Sequence, residues 1–163
     1  MLQYEKIIAY IVKSFRYAGV GKTKLLKLLW FAHREFMYEY KTPLSNLEFL
    51  KMKFGPVPKK YEDIIEKMIK NNIIKEVQGR ANNIVYICDN LEIDTFTPQE
   101  INSLEKCINT YGKFSAKQLS EMSHDTQWQA LEIGQTMLPE AVFLRDLVEI
   151  SDNEVEALKA KYL

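Results

Sequence analysis

Only two histidines, His33 and His124, and two cysteines, Cys88 and Cys107, occur among the 163 residues. The cysteines have neither CxxC spacing nor the density of a disulfide-stapled secreted scaffold, and each stands beside aliphatic residues, so both are expected as buried free thiols. Two histidines leave little material for a metal centre or a histidine-based triad. A Gly-rich phosphate loop, an HExxH helix and a nucleophile elbow are all missing, as are internal repeats and low-complexity runs. No apolar run reaches the length of a signal-peptide core or a membrane span; the N-terminal MLQYEKIIAYIVKSF is interrupted by Glu5, Lys6 and Lys13. These absences point away from an enzyme, a cofactor or a membrane protein, and toward the cytoplasm.

What is present is an ordinary globular composition, 47% apolar and 12% aromatic, enough to fill the core of a single domain spanning residues 1–163. The formal net charge of zero conceals a split. Residues 1–80 carry sixteen Lys or Arg against eight Asp or Glu, a net of +8, whereas residues 81–163 carry six against fourteen, a net of −8. Either the two halves attract one another within the domain, or a basic or acidic face is offered to a partner.

The most apolar stretch is Lys22 to Tyr40, KTKLLKLLWFAHREFMYEY. Leu25, Leu29, Ala32 and Phe36 form one face, and Leu26, Trp30, Met37 and Tyr40 widen it. Without Gly or Pro inside, this predicts an unbroken central helix touched from more than one side, begun by Lys22 or Thr23 with Thr23 the better cap, and with Lys24, Lys27 and Arg34 as a narrow charged strip. Residues 3–17 predict a first amphipathic helix, ended by Gly19 and Gly21. Ser45 with Glu48 resembles a capping box for a short helix through about Met52. Phe54 to Pro58, FGPVP, reads as a stiff extended loop that could wedge on a core or form a binding ridge. A helix follows over Lys59 to Asn71. Residues 73–77 and 84–88, separated by QGRANN, predict a β-hairpin, and a helix followed by a hairpin is also the arrangement of a winged helix. Thr97, Pro98 and Glu100 start a helix to about Tyr111, and Ser115 with Gln118 starts another to Met122. The segment SHDTQW interrupts the helical pattern, residues 131–150 are divided by Gly134 and Pro139 without a clear preference, and Ser151 with Glu154 starts a final helix. The expected fold is therefore mainly α: a compact helical domain around a central buried helix, with one small β-hairpin resembling a winged-helix element.

Candidate chemistry is sparse. His33 sits in the most apolar helix and reads as a core residue. Glu35 and Glu39, four apart, read as ion-pairing residues. His124, Asp125 and Trp128 could orient an imidazole under an indole, though pinning a loop and filling a cavity is the simpler account. Lys51, Lys53, Lys59 and Lys60 flank FGPVP, and an apolar ridge rimmed by lysines would suit an acidic protein partner. Arg80, in the hairpin turn, could touch a DNA backbone.

Three stretches in order, TKLLKLLWFAHREFM, KMKFGPVPKKY and LSEMSHDTQW, resemble the Panacea antitoxin domain, a family first grouped as phage-associated proteins of unknown function. The family pattern falls on Leu25, Lys27, Leu28, Leu29, Phe31, Ala32 and His33, on Phe54, Gly55, Pro56 and Val57, and on His124 and Trp128. Trp30 and Phe54 stand where many members carry Tyr, which leaves the bulk intact. The resemblance implies an antitoxin that neutralises a co-encoded toxin by direct binding, without catalysis or cofactor, in a family that pairs a common fold with unrelated toxins. It implies that these motif residues are mostly structural. The alternative is a winged-helix-like regulator of its own operon or of a phage gene, with weak operator contact. A small hydrolase using His124 and an adaptor for a host protease are further readings.

Overall fold

A computed structural model describes residues 1–146, 157 and 159–161. The first amphipathic segment forms α1 (Gln3–Ser14), whose Ile7, Ile8, Ile11 and Val12 are buried. A 3-10 turn and Gly19, at φ +66, lead into β1 (Val20–Gly21), which runs directly into α2 (Lys22–Tyr40). The first residue of the central helix is thus Lys22, but the cap position falls on Gly21, and no side chain caps it. Thr23 is not the cap: a strand residue hydrogen-bonded to a neighbour leads straight into the helix, so Thr23 already lies within the first turn. Lys41, left-handed at φ 58, closes the other end by donating its N–H to the Met37 carbonyl.

Helix α2 touches α1, four later elements and the 3-10 segment at 139–146, and Leu25, Leu28, Leu29, Trp30, Phe31, Ala32 and Phe36 on it belong to one hydrophobic cluster with residues of α1. A helix approached from several sides buries almost all its circumference, which accounts for a composition too apolar for a surface helix.

Next come β2 (Phe49–Met52) and β3 (Gly55–Pro58), an antiparallel pair joined by the two residues Lys53 and Phe54. The helix expected from Ser45 to Met52 does not form. Four residues such as FLKM are ambiguous between helix and strand; here the alternation of buried Phe49 and Lys51 with outward Leu50 and Met52 and the pairing with GPVP decide for the strand. Glu48 forms an ion pair with Lys59 at 3.2 Å instead of completing a capping box. Gly55 to Pro58 of the expected FGPVP loop is an edge strand of its sheet, a position that tolerates Pro56 and Pro58.

Helix α3 (Tyr61–Lys70) precedes β4 (Lys75–Gln78) and β5 (Ile84–Ile87), the hairpin expected from the sequence. Helices α4 (Pro98–Tyr111) and α5 (Ala116–Met122) follow, and their caps are those the sequence indicated. Thr97 Oγ1 accepts from Glu100 N at 3.2 Å while Thr97 N donates to Glu100 Oε2 at 2.7 Å, and Ser115 and Gln118 repeat the exchange. The SHDTQW segment is in part helical, as α6 (Thr126–Ala130), and β6 (Thr136–Met137) and a 3-10 segment (Pro139–Asp146) follow. Of the helix expected from Ser151, residues 157 and 159–161 are described, and these are helical; the rest lies outside the described residues.

The fold is mainly helical, but the single small hairpin is corrected to two three-stranded antiparallel sheets, in orders β1-β5-β4 and β3-β2-β6. Of the four added strands, β1 and β6 are two residues long, too short to carry an alternating pattern. Only partners distant in the chain define them, Val20 opposite Tyr86 and Met137 opposite Phe49.

Candidate functional site

The motif stretches meet around the β2–β3 turn. On α2, Leu25, Leu28, Leu29, Phe31 and Ala32 lie in the hydrophobic core. His33 is buried with them, and its Nδ1 donates to the Leu29 carbonyl at 2.7 Å, which leaves Nε2 to accept the hydroxyl proton of Ser45, also at 2.7 Å. Burial holds the His33 imidazole down at about 4, against the pull of the Leu29 hydrogen bond, so it is neutral and pins the loop after α2. Ser45 Oγ in turn accepts from Leu47 N. The hydroxyl that resembled a helix cap is occupied here.

The charged strip of α2 is a set of tethers rather than a solvated edge. Lys24 Nζ donates to the Gly112 carbonyl at 2.6 Å, and Arg34 pairs with Asp125 at 3.1 Å. Lys27 is 1% exposed, and its Nζ donates to the Pro56 carbonyl at 2.7 Å. No carboxylate pairs with it among the described residues. Lys27 leaves the charged strip expected of it because a helix wheel registers charge but not the edge carbonyl that a distant strand brings to it. Glu35 and Glu39 are ion-pairing residues, with Arg145 and Lys106 as partners.

Burial pulls the Lys27 ammonium down from 10.5 to about 8. Between those values the unfolded chain holds the proton and the folded chain releases it, so the unfolded state binds more protons and stability rises with pH across the window. The cost of the buried charge is complete below pH 8 and is relieved above it, on the order of 3 kcal/mol in all. Urea unfolding of wild type and Lys27→Met should therefore show the difference moving in favour of wild type from pH 8 to about 10. A difference that stays flat would mean that Lys27 is solvated.

Three further side chains close on the same turn. Ser120 Oγ donates to the Phe54 carbonyl, Trp128 Nε1 donates to the Met52 carbonyl at 3.0 Å, and Lys51 Nζ, over the Trp128 ring at 4.0 Å, donates to the Leu131 carbonyl at 2.6 Å. Lys51 is only 8% exposed and so leaves the exposed rim expected of it, because on β2 it faces the same side as Phe49. Gly55 adopts φ +105, and a Cβ there would collide with Ser123 Oγ and lie 2.8 Å from Lys27 Cε. Pro56 is buried and Val57 half-buried.

His124 stacks on Trp128 with centroids 3.8 Å apart and planes 15° from parallel. Its Nε2 is buried and meets no hydrogen-bond partner among the described residues. Burial, and next the charge of Lys27, lowers its pKa. Asp125 does not orient the imidazole; it caps α6 by accepting from Trp128 N at 3.0 Å while holding Arg34. Sequence reasoning missed Ser120 and Ser123, whose trace is a pair of serines three apart on one face of a short helix, and missed the cap role of Asp125, which D-x-x-W before a helix would have signalled.

The lysines expected to rim FGPVP separate, and Arg80 lies elsewhere. Lys53 is exposed at the turn, Lys59 and Lys60 lie at the other end of β3, and Arg80 is exposed in the turn between β4 and β5. Both thiols are buried, and burial raises each pKa. Among the described residues no group of three His, Cys, Asp or Glu side chains could hold a metal ion, and no helix is long and apolar enough to cross a membrane.

Residues 25–129, which contain the clamp of Lys27, Ser120 and Trp128 on the β2–β3 turn, match the family described as antitoxin SocA-like, Panacea domain, and the chain belongs to that family. A curated relative, antitoxin SocA of Caulobacter vibrioides (strain NA1000 / CB15N), is 33% identical over 108 residues. That match covers 64% of this chain and 55% of the relative, so the chain spans about half the length of the curated protein it resembles. No solved structure matches it.

Proposed function

We propose that the chain is a cytoplasmic antitoxin that neutralises a toxin protein encoded by a neighbouring gene, by binding it directly. The observation that carries this reading is the family match across residues 25–129, with a relative that is itself named an antitoxin. The chemistry of the clamp supports binding over catalysis: His33 is neutral and doubly hydrogen-bonded, Lys27 is sealed from solvent, and both cysteines are buried. Possible contacts with the toxin are the exposed Lys53, Lys59, Lys60 and Arg80. Expression of the adjacent open reading frame alone should arrest growth, co-expression with this chain should restore it, and the two proteins should co-purify. An adjacent product that is harmless alone and does not co-purify would refute the reading.

One observation favours DNA contact as a second reading. Strand β1 between α1 and α2, and the β4–β5 hairpin after α3, form a sheet in the order β1-β5-β4, the connectivity of a winged helix. The charges of α3 weigh against it. Glu62, Asp63 and Glu66 are exposed on the helix that would enter the groove, and Lys67 is engaged by Glu5 at 2.8 Å.

A further inference from the structure

We propose that the β2–β3 turn, Met52 to Phe54, is a preformed anchor that seats the Phe54 ring in an apolar pocket of the toxin with an acidic rim; this rests on the antitoxin reading. Phe54 is 64% exposed and Met52 41%. Phe49, five residues earlier, is fully buried, so the hairpin directs one aromatic into the core and holds another in water. The backbone beneath the exposed ring is fixed on three sides. Trp128 of α6 holds the Met52 carbonyl, Ser120 of α5 the Phe54 carbonyl, and Lys27 of α2 the Pro56 carbonyl. An aromatic on a backbone already held in place loses little freedom on binding, and such rigid anchors dominate protein interfaces.

The charge around the ring specifies the occupant. Lys53 Nζ lies 5.3 Å from the Phe54 centroid, and the ammonium groups of Lys27 and Lys51 are buried behind the turn, donating to carbonyls rather than to carboxylates. Nearby, Asp125 is paired with Arg34, and both Glu121 and Asp125 act on His124. The ring therefore projects from a positive local field, and its complement is an apolar pocket edged by Asp or Glu. A nucleic acid fits less well, since of these three lysines Lys53 alone is exposed to reach a phosphate.

The experiment measures affinity between the purified chain and the purified product of the adjacent gene. Phe54→Ala should keep the wild-type melting temperature and weaken binding at least about tenfold, and Phe54→Tyr should bind like wild type. Lys53→Glu should weaken binding most at low salt. Tyr17→Ala, removing a ring that is 95% exposed on the turn after α1, should change nothing. Wild-type affinity in Phe54→Ala, or tighter binding by Lys53→Glu, would overturn the anchor while the antitoxin reading stands. Failure of the wild-type chain to bind would remove both. Retained binding of the adjacent product with loss of a single-stranded oligonucleotide by Phe54→Ala would reassign the turn to nucleic acid and overturn the proposal.

Discussion

Leu29→Asp is expected to leave no folded protein. Leu29 is fully buried at the centre of α2, and its carbonyl receives the His33 proton. Losing a packed leucine costs about 2–5 kcal/mol, and a carboxylate forced into the same space without a cation adds several more or must take up a proton. Against a typical domain stability of about 5–15 kcal/mol, the sum reaches the whole margin. Leu29→Ala should remain folded with a lowered melting temperature, so the pair separates lost packing from buried charge. Circular dichroism and solubility decide it, and neutralisation should vanish with the fold. A soluble, cooperatively melting Leu29→Asp variant would show that α2 is not the spine.

Gly55→Ala should be the most damaging conservative change outside the helices. At φ +105 an L side chain is strained by about 1–3 kcal/mol before any contact is considered. Contact then adds to it: the new methyl meets Ser123 Oγ, which is itself bonded to the Ser120 carbonyl at 2.7 Å, and Lys27 Cε, whose ammonium is held on the Pro56 carbonyl. A total loss of about 2–4 kcal/mol is expected in urea unfolding. Binding should fall as well, because the turn that carries Phe54 moves. Phe54→Ala, by contrast, should lose binding alone. If Gly55→Ala unfolded at the wild-type midpoint, the clamp would not be holding the turn.

Features stabilised by neighbours in the chain were legible in the sequence. The spine, the first helix, the capping boxes at Thr97 and Ser115, the β4–β5 hairpin, the buried thiols and the structural part played by His33 all follow from local spacing or from surrounding apolarity. Features stabilised by distant partners were not. Phe49 to Met52 becomes a strand because GPVP lies beside it, and β1 and β6 exist only as additions to strands already present. Lys27 and Lys51 look solvated in sequence because lysine usually is; each is buried because a backbone carbonyl, Pro56 or Leu131, is presented to its amine. The candidate site was legible as three motifs in order, while their convergence on one turn depends on hydrogen bonds from Lys27, Ser120 and Trp128 to backbone carbonyls at the turn, which local spacing does not reveal.

The edge strand β3 has a consequence for how this protein behaves when crowded. The Pro56 carbonyl points off the sheet toward Lys27, and in an extended chain the ring nitrogens of Pro56 and Pro58 lie on that same outer side. That border offers no N–H donor at either residue, and one of its acceptors is already taken. A strand from another chain that came to lie along it would find almost no ladder to complete. Copies made quickly and close together cannot zip into aggregates along this border.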